Sequence, residues 1–153
     1  MTRPWIKSYG DAIPAKINAD AYASVRDLVD EAMMKFADKP AFRSFGQTLT
    51  YADVDRHSRA LAAFLQTKLG VKKGDRIAVM TPNILAFPLA MIAHARVGAI
   101  QVNVNPLYTP RELEHQLNDA GVQTIVIFSG STGTLAEIIG ATKVKNVIVA
   151  GVG

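Results

Sequence analysis

A segment of small polar residues is the most suggestive candidate for chemistry in this sequence: "FSGSTGT", residues 128–134. It follows an apolar run and precedes a predicted helix, a position where backbone N–H groups can bind phosphate. Phosphate loops of the Walker type continue into a lysine. Here the next residues are Leu135, Ala136 and Glu137. Because Glu137 would repel an anion, we interpret the segment as a strand-to-helix turn.

Two asparagines are a second candidate, because polar amides stand where a buried strand usually carries apolar side chains. Asn103 and Asn105 lie at the end of the predicted strand "IQVNV", residues 100–104. Open parallel sheets bind ligands at the carboxyl ends of their strands, so a ligand contact is one interpretation. The alternative, which we favour, is that the amides hydrogen-bond the adjoining loops and fix the turn before Pro106.

The pair Glu112 and His115 resembles a carboxylate–histidine metal motif, because a spacing of three places both on one helix face. Such a site needs partners from other helices, and the sequence has no second Glu-x-x-His. Glu112 is also spaced to close a capping box with Thr109 at the start of the helix. We therefore expect a solvated helix face here and not a metal site.

The other titratable residues do not form a catalytic set. Asp53 and Asp55 are two positions apart on a predicted helix and point to different sides. His57 is far from the other histidines in sequence, and His94 ends a mostly apolar helix together with Arg96. A favourable placement of a cation near a helix C-terminus accounts for Arg96. From the residues alone, we predict no catalytic, cofactor-binding or metal-binding residue in this chain.

The composition excludes several classes of function. Without any cysteine, the chain has no disulfide, thiolate metal site or cysteine nucleophile. Lys and Arg number 17 against 13 Asp and Glu, a net charge of +4, but the basic residues are scattered. A nucleic-acid partner is therefore not expected. We expect a soluble, cytoplasmic protein, with attraction to an anionic membrane surface as a secondary interpretation of the charge.

The hydrophobic patterns predict strands that alternate with helices, and hence an α/β fold with a mostly parallel sheet and flanking helices. An amino-terminal arm, residues 1–23, precedes this α/β part, residues 24–153, and carries Trp5 and Tyr9. The predicted elements are a helix from Ser24 closed by Pro40, a hairpin turning at Gly46-Gln47 between "AFRSF" and "TLTY", a helix from Thr50 to Gly70, strands 76–80, 100–104, 124–128 and 146–150, and helices 83–97, 109–120 and 135–139.

Three of these helices have sequence signals at their starts. Thr109 is the predicted N-cap of its helix, and Pro110 fits the first helical position. Thr50 and Asp53 form a similar cap, and Ser24 a third. These signals predict where the chain enters each helix, and so where the preceding loop must end.

Several segments together resemble the amino-terminal part of the acyl-adenylate-forming enzymes. They are "TLTYADVDRHSRALAAFL", "GVKKGDRIAVMTPN", "ARVGAIQVNVNPLYTPRELEHQLNDAGVQTIVI" and "VKNVIVAGVG". The wording "VNVNPLYTPRELEHQLNDAG" is similar to the bacterial long-chain fatty acid–CoA ligases in particular. The resemblance covers about residues 24–149, nearly the whole chain, with its segments in the same order.

The resemblance implies a two-step reaction. A fatty carboxylate attacks the α-phosphate of ATP·Mg²⁺ to give acyl-AMP and pyrophosphate, and coenzyme A then displaces AMP to form the thioester. It also implies that the phosphate loop ending in Lys-Gly, the magnesium-binding Glu, the ribose-binding Asp and the lid lysine of these enzymes lie beyond the part represented here. None of those reacting residues can be assigned to a position in this chain. What carries over is scaffold, namely the turns at Asn105-Pro106 and Gly74-Asp75.

Three hypotheses remain open from the sequence. The first is an amino-terminal segment of a long-chain fatty acid–CoA ligase, inactive alone, with the end at "VAGVG" interpreted as truncation. The second is a stand-alone, non-catalytic interaction or dimerisation module on the same scaffold. The third is a related ligase for medium-chain or aromatic acids. Some members of the resembled family dimerise through the amino-terminal arm, which here offers Trp5, Ile6 and Tyr9. Peripheral contact with the inner face of the cytoplasmic membrane is also compatible with the sequence.

Overall fold

The protein, seen as a computed structural model that describes residues 3–152, has an α/β fold built on two sheets. A small antiparallel hairpin consists of β1 (Pro40–Ser44) and β2 (Gln47–Thr50). The central sheet has four strands in the order β4-β3-β5-β6, and every neighbouring pair is parallel. Its strands are β3 (Arg76–Met80), β4 (Ile100–Asn103), β5 (Thr124–Phe128) and β6 (Asn146–Ala150). The fold predicted from the sequence is thus confirmed.

Within the described residues, five α-helices accompany the sheets: α1 (Val25–Lys35), α2 (Tyr51–Thr67), α3 (Ala86–Val97), α4 (Pro110–Ala120) and α5 (Thr132–Ile138). Helices α2 and α3 pack on one face of the sheet, where Ile77, Val79 and Val126 point. Helices α4 and α5 cover the other face, where Ile125 and Ile127 are fully buried. The two faces of each strand are therefore both apolar, as expected for a parallel sheet between helical layers.

The connections reverse direction between β3 and β5. The chain passes from β3 through α3 to β4 on one side, and then returns through α4 to β5 on the other side of β3. Adjacent strands whose connections leave in opposite directions open a crevice at their carboxyl ends. The position between β3 and β5 is consequently the place in this sheet where a ligand site is expected on topological grounds.

The hairpin turn differs by one residue from the sequence prediction. Ser44 pairs with Gln47, so the turn residues are Phe45 and Gly46, and not Gly46-Gln47. Both have positive φ, 46° and 79°, as a type I′ turn requires. Tyr51, which belongs both to the predicted strand segment "TLTY" and to the helix predicted from Thr50, is the first residue of α2, so the helix start predicted at Thr50 is confirmed. The capping box between Thr50 and Asp53 ends the strand there.

Some helix boundaries also differ. The first helix ends at Lys35, and Pro40, predicted to close it, instead begins β1. Helix α3 starts at Ala86, three residues after the predicted Asn83, whereas its predicted stop at Gly98 is confirmed, with φ 77°. The last helix begins at Thr132 and not near Leu135. Short polar and proline-containing segments shift a helix start by a turn without disturbing its apolar periodicity, which explains these differences.

The arm, residues 3–23, packs little against the rest of the chain. Its short 3₁₀ helix, Pro4–Ser8, contains no buried residue. The side chains of Trp5, Tyr9 and Ile17 are 55%, 42% and 85% exposed. Within residues 3–152, none of the helices has the length and apolar character needed to cross a bilayer.

Candidate functional site

The carboxyl edge of the central sheet is the candidate site, and three loops form it. They are residues 81–85 after β3, residues 104–109 after β4 and residues 129–131 after β5. Thr81 follows β3 at the centre of this edge and is 6% exposed. Its Oγ1 is buried and has no hydrogen-bond partner among the described residues. A buried hydroxyl without a partner is costly, so Thr81 leaves one uncommitted polar group next to the crevice.

Asn105 fixes the turn after β4. Its side-chain Oδ1 accepts a hydrogen bond from the backbone N–H of Leu107 at 3.0 Å. Its own carbonyl accepts from the N–H of Tyr108 at 3.1 Å. A side-chain bond to the backbone two residues on is an Asx turn, which substitutes for a backbone turn. The structural interpretation of Asn105 is therefore confirmed.

Asn103 has a different role from Asn105. Its Oδ1 accepts a hydrogen bond from Gln101 Nε2 at 2.8 Å, along the same strand. Its backbone carbonyl accepts from Gln116 Nε2 of α4 at 3.0 Å. Because β4 is an edge strand in the described sheet, the Gln116 amide covers a carbonyl that no strand pairs with. Asn103 thus joins the strand edge to α4, and its amide does not bond the adjoining loop as the sequence interpretation had it.

His94 continues the chain of side-chain hydrogen bonds from Asn103 and Gln101 into the interior. Its ring is 1% exposed, and Nδ1 donates to Gln101 Oε1 at 2.9 Å. Burial lowers the pKa of His94 below its ordinary value, against the smaller opposing effect of the Gln101 hydrogen bond. The neutral ring leaves Nε2 as an acceptor, and it has no partner among the described residues. His94 is therefore a neutral, buried imidazole held in one tautomer by Gln101.

The helix start predicted at Thr109 is present with both hydrogen bonds of a capping box. Glu112 N donates to Thr109 Oγ1 at 3.4 Å, and Thr109 N donates to the Glu112 carboxylate at 2.8 Å. The Glu112 carboxylate thus accepts from Thr109 N, and it accepts also from Thr109 Oγ1 at 2.7 Å. These bonds lower the pKa of the Glu112 carboxyl group. His115 is exposed on the same helix. Across residues 3–152, no group of three or more His, Asp or Glu side chains could hold a metal ion.

The segment "FSGSTGT" forms a strand-to-helix connection, as interpreted from the sequence. Residues 129–131 are a 3₁₀ turn that leads into α5. Ser131 Oγ donates to the carbonyl of Pro106 at 3.2 Å, and Thr132 Oγ1 donates to the carbonyl of Ser129 at 2.8 Å. A Cβ on Gly130 would lie 2.5 Å from the Phe128 ring, so a larger residue there would require that ring to move. The Ser131 hydroxyl therefore links the loop after β5 to the loop after β4.

A buried charged cluster lies away from the carboxyl edge, between α1, α2 and α3, and no sequence motif predicted it. Arg96, whose side chain is 6% exposed, contacts Asp30 of α1 and Asp55 of α2, each at 2.6 Å. Its Nε donates to Ser58 Oγ at 3.1 Å. The helix-end position of Arg96 therefore does not fully explain this residue, because its guanidinium also pairs with Asp30 and Asp55. The available signal was an arginine in an otherwise apolar helix, which requires a buried partner.

Asp55 illustrates the electrostatics of this cluster. Its pKa is lowered, first by the hydrogen bond from Arg59 and further by the charges of Arg59 and Arg96. Asp53, two positions away, instead accepts from Thr50 in the capping box, which lowers its pKa too. The prediction that Asp53 and Asp55 point apart is confirmed. Neither carboxyl group has the raised pKa of a general acid.

The candidate edge itself is electrically neutral. The three loops, residues 81–85, 104–109 and 129–131, contain no Asp, Glu, Lys, Arg or His. A bound nucleoside triphosphate requires cationic side chains or a metal ion to offset its negative charge. The described residues at this edge therefore do not fit ATP·Mg²⁺ by themselves.

Comparison with known proteins decides the family. A model of the AMP-binding enzyme family matches residues 29–151. The chain belongs to this family. As a segment of the AMP-binding family, it is 46% identical over all 153 residues to a long-chain-fatty-acid–CoA ligase of Escherichia coli. It is 37% identical over 124 residues to the enzyme of the same name from Bacillus subtilis.

Solved structures of AMP-binding enzymes have the same fold. A long-chain-fatty-acid–CoA ligase from Archaeoglobus fulgidus superimposes on 83% of this chain with a TM-score of 0.76 and 31% sequence identity. A putative long-chain-fatty-acid CoA ligase from Rhodopseudomonas palustris covers 88% with a TM-score of 0.79 and 26% identity. The resemblance inferred from the sequence motifs is thereby confirmed.

The chain spans only part of these relatives. The alignment covers 27% of the Escherichia coli protein, at its amino-terminal end, and 22% of the Bacillus subtilis protein. It covers 27% of the Archaeoglobus fulgidus structure. The chain therefore corresponds to about a quarter of the length of these AMP-binding enzymes.

Proposed function

We propose that this chain forms the amino-terminal part of a long-chain fatty acid–CoA ligase. The observation that supports this most is the 46% identity over the entire chain to the Escherichia coli ligase, of which it covers 27%. The whole protein would convert ATP, a fatty acid and coenzyme A into acyl-CoA, AMP and pyrophosphate. Its cofactors would be ATP and Mg²⁺, with coenzyme A as the acyl acceptor.

Within that protein, the chain supplies scaffold. Residues 1–23 form the arm, and residues 24–153 form the first α/β portion of the AMP-binding domain. No residue of this chain is assigned a catalytic, cofactor-binding or metal-binding role, because the loops at the candidate edge are uncharged. The charges that stabilise phosphate transfer come from other segments. The turn at Asn105 and the hydroxyl of Ser131 fix the conformation of the loops at the carboxyl edge.

The partners of the proposed ligase follow from its surfaces. The fatty acid is the substrate. The arm mediates a homodimer, an assignment supported by the exposure of Trp5 (55%), Tyr9 (42%) and Ile13 (56%). The protein is cytoplasmic and contacts the inner face of the cytoplasmic membrane reversibly, which the net charge of +4 favours. No nucleic-acid partner is proposed, since the basic residues are scattered along the sequence.

Two measurements test this function. The intact mass of the native polypeptide from its source should be several times the 16.5 kDa of this chain. The purified native protein should then release pyrophosphate from ATP in the presence of a long-chain fatty acid, whereas the 153-residue chain alone should release none above background. A native product of 16.5 kDa would contradict the assignment to this chain. Release with benzoate but not with a long-chain acid would replace the proposed substrate class.

A further inference from the structure

A pocket between α1, α2 and α3, here called the arginine pocket, is lined by three arginines and has a volume of about 330 Å³. The lining residues are Arg26 of α1, Arg96 of α3, and Arg59, Ala62, Ala63 and Gln66 of α2. The side chain of Arg96 is 6% exposed, whereas those of Arg26 and Arg59 are 56% and 55% exposed. The pocket therefore brings one buried guanidinium group together with two that are more than half exposed, each from a different helix.

The carboxylates of the same cluster line a different pocket. Asp30 and Asp55 each lie 2.6 Å from Arg96, but neither aspartate lines the arginine pocket. Both line a second pocket, together with Arg59, two methionines and two alanines. The cluster therefore has an arginine side and a carboxylate side. Because three guanidinium groups share two carboxylates among the described residues, one positive charge is left over.

The hydrogen-bond donors of the three arginines are used unequally. Each nitrogen of Arg96 has a partner, because Nε donates to Ser58 Oγ at 3.1 Å and the two terminal nitrogens donate to the aspartates. Arg26 makes one side-chain contact among the described residues, from Nε to Asp30 at 3.4 Å, which leaves both of its terminal nitrogens free. In Arg59, Nη1 has no partner within residues 3–152. Free guanidinium donors of this kind bind the oxygens of phosphate or carboxylate in pairs.

We propose that the arginine pocket binds an oxyanion, held by the free N–H groups of Arg26 and Arg59 and by the positive charge that the two aspartates leave uncompensated. Two sources share this chemistry: a free phosphate-bearing molecule, or an Asp or Glu side chain from another segment of a longer polypeptide. A pocket that opens to solvent in the native protein takes the first, and a pocket that another segment covers takes the second. None of the lining residues belongs to the three loops of the carboxyl edge, so the inference is independent of the ligase reaction.

Phosphate titration of the native protein and two variants tests the pocket. Arg26→Gln removes the arginine whose terminal donors are free, and Arg56→Gln is the matched control. Arg56 lies on α2 outside the pocket and is 70% exposed. Its ion pair with Asp53, at 2.8 Å, is shorter than the 3.4 Å pair between Arg26 and Asp30. Isothermal titration calorimetry with inorganic phosphate at fixed ionic strength measures the affinity, and the Tm of each protein is measured without phosphate.

The two sources give different results. If the oxyanion is a free phosphate group, Arg26→Gln should weaken phosphate binding about tenfold, the loss expected for a charge-assisted hydrogen bond, and Arg56→Gln should leave it unchanged. If the oxyanion is a carboxylate of the polypeptide, phosphate binding should not differ between the three proteins. Arg26→Gln should then lower the Tm by several degrees more than Arg56→Gln, although its ion pair within the described residues is the longer one.

One combination of results would overturn the proposal: equal phosphate affinity in Arg26→Gln and the original protein, with a loss of Tm no larger than that of Arg56→Gln. A phosphate site elsewhere in the protein is present in all three proteins and does not affect this comparison. Pyrophosphate release by the native protein is measured separately, so the oxyanion pocket and the proposed ligase function can fail independently.

Discussion

The two polar regions of this chain are built in opposite ways. The loops at the carboxyl edge of the sheet use neutral groups, in the bond between Asn105 and Leu107, two residues apart, and in the bond from Ser131 to the carbonyl of Pro106, 25 residues apart. The layer formed by α1, α2 and α3 uses charges and distant partners, since Arg96 joins Asp30 and Asp55, which are 66 and 41 residues away. The edge where chemistry is expected on topological grounds thus has no charge, and the charged cluster stabilises the scaffold.

This difference explains which features of the molecule the sequence could predict. Capping boxes and glycine stops depend on residues within one turn of the helix, so Thr109 and Gly98 were identified correctly. Strands of the sheet follow from continuous apolar runs and were also predicted correctly. The Arg96 cluster depends on how α1, α2 and α3 pack, and no local spacing encodes it. Sequence reasoning therefore recovered the elements but not their principal charged contact.

Dependence on distant contacts also explains the two hairpin positions that were predicted wrongly, Phe45 and Gln47. The motif "SFGQ" contains a glycine, and the usual rule places glycine first or second in the turn. The paired register of Ser44 and Gln47 decides the matter, and it puts Phe45 at positive φ. Propensity disfavours Phe there, so the sequence alone favoured the wrong pair.

Removal of the Arg96 charge should have the largest effect on stability. Arg96→Met keeps much of the apolar volume but leaves Asp30 and Asp55 without their buried partner. Loss of one partner of a buried ion pair costs roughly 3–5 kcal/mol, and the partial exposure of both carboxylates reduces this to about 2–3 kcal/mol. Urea unfolding monitored by circular dichroism measures the change.

Arg56→Met is the matched control for that comparison. Arg56 pairs with Asp53 at 2.8 Å, but its side chain is 70% exposed. An exposed pair contributes about 0.5 kcal/mol or less. Equal losses of unfolding free energy in the two variants would show that the α1–α3 cluster is no stronger than a surface ion pair.

The capped start of α4 should contribute less to the unfolding free energy than the Arg96 cluster does. Thr109→Ala removes the side-chain oxygen that accepts from Glu112 N at 3.4 Å, and with it the hydroxyl donor to the Glu112 carboxylate. We expect a loss of about 1 kcal/mol, typical for an N-cap. Thr109→Ser retains the cap and should recover most of the unfolding free energy. If Thr109→Ser is as unstable as Thr109→Ala, the effect comes from the lost methyl group and not from the cap.

The buried imidazole should produce a small pH dependence. The pKa of His94 is lowered in the folded state, whereas an unfolded histidine protonates at about pH 6.5. Below that pH the unfolded chain binds a proton that the folded chain does not, so stability decreases as the pH falls from about 6.5 toward the folded pKa. His94→Gln should flatten this part of the curve of unfolding free energy against pH. His115→Gln, at an exposed position, should leave it unchanged, and the reverse pattern would exclude His94 as its source.

The central claim is that the polar residues of this chain stabilise a scaffold and do not take part in the reaction of the proposed ligase. Asn105→Ala in the native full-length protein tests it most directly, because Asn105 lies at the carboxyl edge and its amide closes the turn to Leu107. We predict that the unfolding free energy falls by about 1 kcal/mol and that the Tm falls with it. Fatty-acid-dependent pyrophosphate release per folded molecule should be unchanged. An unchanged Tm with loss of pyrophosphate release would contradict the claim and assign Asn105 to the reaction.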